Sequence, residues 1–424
     1  MKARNPEGIM KALIEKGVNI PSPESVEIGP EVNPERISGE GVTIHAGCRI
    51  FGSRTLLLTG VELGEEAPVT IRDCFVGREA RLKGGSFEAS CFLEETSMGS
   101  GAQVRAGCLL EEGARGGHAV GLKQTILFPF VTLGSLINFC DCLMAGGTDA
   151  RNHSEVGSSY VHFNYTPNRD KATASLIGDV PAGVMVNQPP IFLGGQGGIV
   201  GPVRIGYGIA VAAGVIVRKD LLREGAMVLA QSIPKRTIPF HPGLYTGLPR
   251  LIDQNVLYLA NLIAFHRWYL DIRSRFMRQG AMEKALLEGA VDVILMGVKE
   301  RLKRLGEVAA HMPRSIEIHK SLSGRPSGDV TVERKRKFLD QWPRLEKIFL
   351  EGLEDRGDAD LKTSFMAAVD RGIERQGPRY LEVIKGLDER EAGAGTAWLQ
   401  GLVDGIGQRI HGALTSLPHG GNGK

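Results

Sequence analysis

Basic side chains and imidazoles are the groups of this 424-residue sequence whose types and spacing suggest chemistry. Arg105 and Lys123 are 18 residues apart. Together they suit a phosphate, because arginine can donate two parallel hydrogen bonds to it and lysine adds a compact positive charge. His153 and His162 lie within 128–198, a stretch rich in Asn, Gly and aromatic residues. Because imidazole titrates near neutral pH, either histidine is a candidate general base. The alternative for each is a hydrogen-bonded structural histidine.

A six-residue period defines the elements that must position these side chains. From Ile199 to Val217 an aliphatic residue recurs every six positions, and a second apolar residue follows four positions after each one. This period fits neither an α-helix nor one long strand, but it fits short strands joined by tight corners around a shared interior. The pattern returns between Met98 and Arg115. The sequence therefore predicts a parallel β-helix of hexapeptide repeats.

Composition limits the classes of partner and the cellular compartment. The chain has 56 glycines, and a corner every six residues would need them because glycine reaches positive φ freely. A net charge of only +3 argues against a nucleic-acid partner. The six cysteines form no CxxC pair, so we expect reduced thiols, no metal and a cytoplasmic protein. Since no uncharged apolar run of about 18 residues occurs, we expect no membrane span or membrane partner.

The sequence divides into four segments. Residues 1–25 are predicted to form an N-terminal helix or arm, and residues 26–245 a left-handed β-helix. Apolar residues at helical spacing predict an all-α domain over residues 250–415. Within it, prolines and glycines favour a loop or linker at 313–328. The tail, 416–424, is predicted to be disordered.

Four stretches carry a resemblance to a known family. They are Val-Arg-Ala-Gly-Cys-Leu-Leu-Glu-Glu-Gly-Ala at 104–114, Gly-His-Ala-Val-Gly-Leu-Lys at 117–123, Asn-Tyr at 164–165 and Ile-Phe-Leu-Gly-Gly-Gln-Gly-Gly-Ile-Val-Gly-Pro-Val at 191–203. They resemble the C-terminal acetyltransferase domain of the bacterial bifunctional UDP-N-acetylglucosamine pyrophosphorylase/glucosamine-1-phosphate N-acetyltransferase family. That domain is a trimeric left-handed β-helix with three hexads in each coil. The likeness covers residues 104–220, just over a quarter of the chain.

The resemblance implies a homotrimer that transfers an acetyl group from acetyl-CoA to an amino-sugar phosphate or a nucleotide sugar. Arg105 and Lys123 would lie one coil apart on one face and hold the phosphate. Asn164 and Tyr165 would orient the sugar, and Lys171 would take the place of a family lysine further along the chain. The alternative for the two cations is a pair of basic residues on a solvated face.

The chain departs from the family at the catalytic base. The family motif Gly-His-Leu-x-Tyr-Leu-Gly-Asp is Gly-Ser-Leu-Ile-Asn-Phe-Cys-Asp at 134–141. Ser135 therefore replaces the histidine and cannot act as a general base at neutral pH, whereas Asp141 keeps the family aspartate. His153 follows Ser135 by 18 residues, so we expect its imidazole one coil above Ser135. There it could return a base to the site, and His118 is a further candidate imidazole.

Two small residues are candidate contacts for acetyl-CoA. Gly195 stands where the family has a serine that contacts the coenzyme, and Ala213 is the second candidate. The alternative for Gly195 is a glycine-rich corner of the solenoid.

The sequence thus predicts a hexapeptide-repeat N-acyltransferase. The alternative is a non-catalytic sugar-nucleotide-binding or scaffold protein that lost the family base at Ser135. Sugar-phosphate nucleotidyl transfer, the family's other activity, is disfavoured because no Gly-rich, Arg-containing nucleotide loop precedes the coils.

Overall fold

The computed structural model describes residues 5–230, 237–323 and 329–415. The predicted disordered tail, 416–424, lies outside the described residues. Short strands run along the chain from Glu27 to Val228, and helices follow from Leu248.

The strands are mostly two to four residues long, as expected for a chain that turns a corner about every six residues. The first of them are Glu27–Ile28 (β1), Thr43–Ile44 (β2), Arg49–Phe51 (β3), Leu56–Leu57 (β4), Glu62–Leu63 (β5), Val69–Arg72 (β6), Phe75–Val76 (β7), Arg81–Leu82 (β8), Gly85–Glu88 (β9), Cys91–Phe92 (β10), Ser97–Met98 (β11), Ala102–Val104 (β12), Leu109–Leu110 (β13) and Arg115–Gly116 (β14). The others are Gly121–Leu127 (β15), Thr132–Leu133 (β16), Asn138–Met144 (β17), Gly147–Asp149 (β18), Asn152–His153 (β19), Glu155–Val156 (β20), Val161–Phe163 (β21), Ser175–Ile177 (β22), Phe192–Leu193 (β23), Gly198–Val200 (β24), Arg204–Ile205 (β25), Ala210–Val211 (β26), Ile216–Val217 (β27) and Met227–Val228 (β28).

Pairing between successive coils places these strands on three faces. The first face runs β2-β5-β8-β11-β14-β16-β20-β23-β26-β28. The second face holds β1, β3, β6, β9, β12, β21, β24 and β27, and the third holds β4, β7, β10, β13, β22 and β25. β15 and β17 bend from the second face to the third, because each pairs with strands of both faces. The pairing is parallel between the coils described, which confirms the predicted parallel β-helix.

The six-residue period marks the inward positions. Ile199, Ile205, Val211 and Val217 are each at most 1% exposed. Burying one such side chain contributes roughly 1.5–3 kcal/mol, so the stacked inward positions form a continuous core. The cysteines at 48 and 108, which the pattern also places inward, are buried and unbridged.

Three insertions account for the break in the pattern between residues 128 and 198. β18 and β19 form an antiparallel hairpin that leaves the coil. A loop from 164 to 172 separates β21 from β22, and a helical turn occupies Val180–Gly183. The coils continue through this region, so the period is lost because residues are added.

The helices confirm an all-α region after the solenoid. Among the described residues, Pro6–Lys16 (α1) precedes the strands and Val180–Gly183 (α2) lies within the solenoid. The helices after the solenoid are Leu248–Trp268 (α3), Ser274–Phe276 (α4), Ala281–Ala310 (α5), Met312–Ser323 (α6), Val330–Gly352 (α7), Ala359–Gln376 (α8), Tyr380–Lys385 (α9) and Glu389–Thr415 (α10). The loop predicted at 313–328 was wrong over its first part, because α6 extends to residue 323. Pro313 lies in the first turn of α6, where proline's missing N–H breaks no intrahelical bond.

The C-terminal helices cover the third face of the solenoid. α5 packs on β4, β7, β10 and β13, and α3 packs on β22 and α2. Phe128 and Phe265 stack across this seam with ring centroids 4.9 Å apart. At Gly289 the backbone of α5 comes so close to the Phe75 ring that a Cβ would overlap it. The helical region and the solenoid therefore share one core.

Candidate functional site

Arg105 and Lys123 lie on successive coils at the edge of the second face. β12 pairs with β15 so that Val104 lies opposite Leu122, and the Arg105 N–H donates to the Leu122 carbonyl at 2.9 Å. On the next coil Lys123 lies opposite Cys140, whose Sγ is 3.8 Å from Arg105 Nη2. The predicted one-coil spacing of the two cations is confirmed. Their role in holding a phosphate stays a prediction.

An open groove of about 490 Å³ runs along the second face beside Arg105. Gln103 and Asn138 line it with Arg105, and all three residues are exposed. Two side-chain amides and one guanidinium present both donors and acceptors, which suits a hydroxyl-rich ligand with an anionic group.

Helix α5 flanks the other side of this pair of cations. Burial acts to raise the pKa of Glu300, but the hydrogen bond from Arg304 and the charges of Arg304, Arg301 and Lys123 lower it. Lys123 is therefore close enough to α5 for its charge to be felt there. The candidate site lies at a seam, with solenoid coils on one side and a helix of the C-terminal region on the other.

Asp141 is tied to α5 and is not free for a ligand. Its Oδ1 accepts a 2.7 Å hydrogen bond from Arg301 Nη2, and both side chains are at most 3% exposed. Its Oδ2 accepts from Asn164 Nδ2 at 3.1 Å. The structure thus brings Asp141 and Asn164 together, as a substrate site of the family type would need, but the carboxylate is neutralised by a buried arginine.

The loop that carries Asn164, Tyr165 and Lys171 is held largely by the helical region. Tyr165 is 69% exposed. The Lys171 carbonyl accepts from Arg301 Nη1 at 3.1 Å, and Asp170 Oδ2 accepts from the Tyr245 hydroxyl at 2.9 Å. The helices therefore fix the path of the loop and leave the Tyr165 ring in solvent.

Ser135 lies at the corner between the first and second faces, one coil below Ser158. The Ser135 N–H donates to Ser158 Oγ at 3.2 Å, and Ser159 N–H donates to the Ser135 carbonyl at 2.9 Å. Ser158 follows by 23 residues, not 18, because the β18–β19 hairpin lengthens this coil. His153 ends that hairpin, with its Nδ1 3.3 Å from the Ser154 carbonyl. The expectation that His153 lies one coil above Ser135 was wrong.

His162 points into the interior of the solenoid. It is 2% exposed, its Nε2 lies 2.8 Å from Ser175 Oγ, and its ring meets that of Phe139 edge-on. Burial lowers its pKa to about 4, so the imidazole is neutral at pH 7. The structure does not bring His162 to the groove on the second face.

Gly195 and Ala213 belong to a corner of the solenoid where successive coils come very close. A Cβ on Gly195 would lie 2.6 Å from the Ser158 carbonyl oxygen, and one on Gly194 would overlap the backbone nitrogen of Ala213. This close approach requires glycine whatever binds there. Contact of Gly195 and Ala213 with acetyl-CoA stays a prediction.

Of the three candidate imidazoles, the sequence supports His118 least as a general base, and the structure supports it more. Its Nε2 lies 3.1 Å from Glu66 Oε2, which also accepts from the Ser100 N–H at 3.1 Å. That backbone hydrogen bond, together with the neighbouring Lys83, lowers the pKa of Glu66 to about 2. The backbone N–H of His118 donates to Ser135 Oγ at 3.1 Å, so His118 lies one coil below the position of the family base, and Glu66 orients its imidazole. Because the coils differ in length, the spacing of His118 and Glu66 in the sequence does not predict that they pair.

No group of three or more His, Cys, Asp or Glu side chains in the described part of the chain could hold a metal ion. The helices in that same part are all too short or too polar to cross a membrane. No protein-family model matches the chain, and a search of the curated proteins found no relative. The resemblance to the acetyltransferase domain therefore rests on the motifs quoted above and on the parallel β-helix fold.

Proposed function

We propose that this chain is a hexapeptide-repeat N-acyltransferase that transfers an acetyl group from acetyl-CoA to an amino-sugar phosphate or a nucleotide sugar. The observation that carries the proposal is the stacking of Arg105 and Lys123 on successive coils beside an open groove that Arg105, Gln103 and Asn138 line. Two cations one coil apart suit the oxygens of one phosphate group. Gln103 and Asn138 would bind the sugar hydroxyls from the same groove.

His118 is the residue we propose as general base. Glu66 is a carboxylate at neutral pH and can only accept, so the proton of the neutral imidazole is on Nε2 and its lone pair is on Nδ1. The amine nitrogen of the sugar would bond to the acetyl carbonyl carbon as the carbon–sulfur bond breaks, and Nδ1 would take the amine proton. Coenzyme A would leave as the thiolate, which that proton would then convert to the thiol, returning the imidazole to its neutral form. The corner that holds His118 leads directly into the groove, because Ala119 lines it.

The remaining roles follow the resemblance. Asn164 and Tyr165 would orient the sugar and Lys171 would add a cation near the phosphate, while Gly195 and Ala213 would contact acetyl-CoA. We also propose a cytoplasmic homotrimer. Light scattering on the purified chain tests the trimer, and a monomer mass at micromolar concentration would contradict it.

An acetylation assay with glucosamine-1-phosphate and acetyl-CoA tests the proposal. Replacing Arg105 by Ala or Lys123 by Met should raise KM about tenfold or more, since each removes a charge-assisted contact of about 1.5–3 kcal/mol. His118→Ala should lower kcat by about 100-fold or more. His153→Ala is the matched control and should leave both constants unchanged, because His153 lies on the outlying hairpin.

The second candidate is a non-catalytic binder of sugar phosphates or nucleotide sugars. It is favoured by one observation, that Ser135 holds the place of the family base while Asp141 is already paired with Arg301. A thermal-shift comparison separates the two, because a ligand at about 100 times Kd adds about 2.7 kcal/mol. Stabilisation by UDP-N-acetylglucosamine without stabilisation by acetyl-CoA would favour the binder.

A further inference from the structure

A cavity of about 510 Å³ lies between the third face of the solenoid and the helices that cover it. Leu58, Leu93, Phe130, Phe276, Leu286 and Leu381 form an apolar part of its wall, and eight charged side chains, Arg273 and Glu112 among them, line the rest. Glu94, Glu95 and Arg379 also line it and are exposed, so the cavity opens to solvent beside them. A concave site that combines apolar surface with polar groups able to orient a ligand is a candidate small-molecule site.

An incompletely satisfied ion pair marks the polar end of this cavity. Arg273 is 1% exposed, and its Nη2 donates to Glu112 Oε1. Among the described residues, neither Nε nor Nη1 of Arg273 has a hydrogen-bond partner, and Oε2 of Glu112 has none either. The guanidinium also stacks on the Tyr380 ring, 3.7 Å from its centroid. Both members of the pair therefore have unused hydrogen-bonding capacity where both line one cavity.

The neighbouring Glu111 is hydrogen-bonded to Tyr269, whereas Arg273 donates to Glu112. Burial raises the pKa of Glu111 to about 8, against the charge of Arg273, and the Tyr269 hydroxyl donates to its Oε1 at 2.8 Å. Burial therefore favours the protonated form of Glu111 in the folded state. Glu112 is then the carboxylate that faces the guanidinium, so one cation and one anion lie side by side.

We propose that this cavity binds a free α-amino acid with an apolar side chain. The carboxylate of the ligand would accept from the unpaired nitrogens of Arg273, and its ammonium group would donate to Glu112 Oε2. The side chain would lie against the leucine and phenylalanine wall. A zwitterion is the ligand class that satisfies both members of the ion pair, since an anion leaves Glu112 Oε2 unpaired and a cation leaves Arg273 unpaired.

This site is independent of the proposed acyl transfer. It lies under the helices on the third face, whereas Arg105 and Lys123 lie at the edge of the second. Success or failure of an acetylation assay therefore does not bear on it.

Isothermal titration calorimetry of the full chain with L-leucine, L-methionine and L-phenylalanine tests the proposal. We expect at least one of them to bind with one site per chain. The methyl ester of that amino acid, which lacks the carboxylate, and its deaminated acid, which lacks the ammonium group, should each bind at least tenfold more weakly. Equal binding by either analogue, or no heat from any of the three amino acids, would overturn the proposal.

A matched pair of variants locates the binding. Leu381→Trp would fill the cavity from the half-buried face of α9 without touching the Arg273–Glu112 pair, and it should abolish binding. Leu387→Trp makes the same change at a half-buried leucine that does not line the cavity, and it should bind as the wild type does. Binding that survives Leu381→Trp unchanged would place the amino acid elsewhere and overturn the assignment.

Discussion

The second and third faces of the solenoid follow the same six-residue rule, yet their outward side chains differ. On the second face the outward positions include Arg49, Thr70 and Gln103, which are exposed or half-buried. On the third face they include Phe75 and Leu93, which are at most 3% exposed because the helices cover them. One backbone architecture thus serves both as an open surface and as half of a domain core.

The difference determines what a charged side chain can do on each face. Arg105 on the open face is exposed to solvent, whereas Arg301 at the covered face is buried in an ion pair with Asp141 of the solenoid. Exposed pairs contribute little to stability, while breaking a buried pair leaves an uncompensated charge. The same substitution should therefore change the unfolding free energy by very different amounts on the two faces.

Replacing the two arginines by alanine gives the largest expected contrast. Arg301→Ala leaves Asp141 buried without its cation and removes the donor to the Lys171 carbonyl, so we expect a loss of about 3–5 kcal/mol in unfolding free energy. Arg105→Ala, on the open face, should change it by less than about 0.5 kcal/mol. Urea denaturation of the full chain, followed by circular dichroism, measures both.

The double variant Asp141→Ala with Arg301→Ala is the control for this contrast. Removing both charges should recover part of the loss, since the cost lies mainly in the orphaned carboxylate. Equal stabilities for Arg301→Ala and Arg105→Ala would show that the helices do not depend on this pair.

The pH dependence of stability should have opposite signs for a core imidazole and a carboxyl group at the covered face. Burial lowers the pKa of His162 from 6.5 to about 4, so the unfolded state binds more protons between these values. Stability from His162 is present above pH 6.5 and is lost as the pH falls towards 4, by on the order of 3 kcal/mol. Glu111, with its pKa raised by burial from 4.5 to about 8, makes stability fall as the pH rises through that range.

Two variants separate these contributions. In His162→Gln the loss of stability between pH 6.5 and 4 should be smaller than in the wild type. In Glu111→Gln the decline between about pH 4.5 and 8 should be smaller. Urea midpoints at pH 4.5, 6.5 and 8 measure both, and parallel pH curves for wild type and His162→Gln would contradict the buried-imidazole account.

The regular coils were predictable because a six-residue period has few structural solutions. Ile199 and Val217 marked the interior, and the spacing of Arg105 and Lys123 gave their stacking directly. The sequence also contains an indication of the covered face. Leu109 and Leu110 are adjacent apolar residues, whereas a strand with one solvated side would alternate apolar and polar residues. That doubling indicates burial on both sides of the strand.

The placement of the histidines could not be predicted from spacing. His153 was assigned to the coil above Ser135 on the assumption of 18 residues in each coil, and the β18–β19 hairpin makes that coil longer. His118 and Glu66 are 52 residues apart, so only the accumulated coil lengths bring them together. Counting residues locates a side chain only where every intervening corner is regular.

Glycine substitutions test the covered face at its tightest point, with the smallest expected effect. A Cβ at Gly289 would overlap the ring of Phe75, which is packed between α5 and β7, so Gly289→Ala should cost about 1–3 kcal/mol in unfolding free energy. Gly401, exposed in α10, has no atom within 4 Å of a built Cβ, so Gly401→Ala should stabilise the chain by about 0.5–1 kcal/mol through helix propensity. Urea midpoints that move in the same direction for both would mean that α5 can move away from the solenoid at little cost. Opposite shifts would instead establish that α5 packs closely against the solenoid at Gly289. The overlap caused by one methyl group would then cost more free energy than helix propensity contributes.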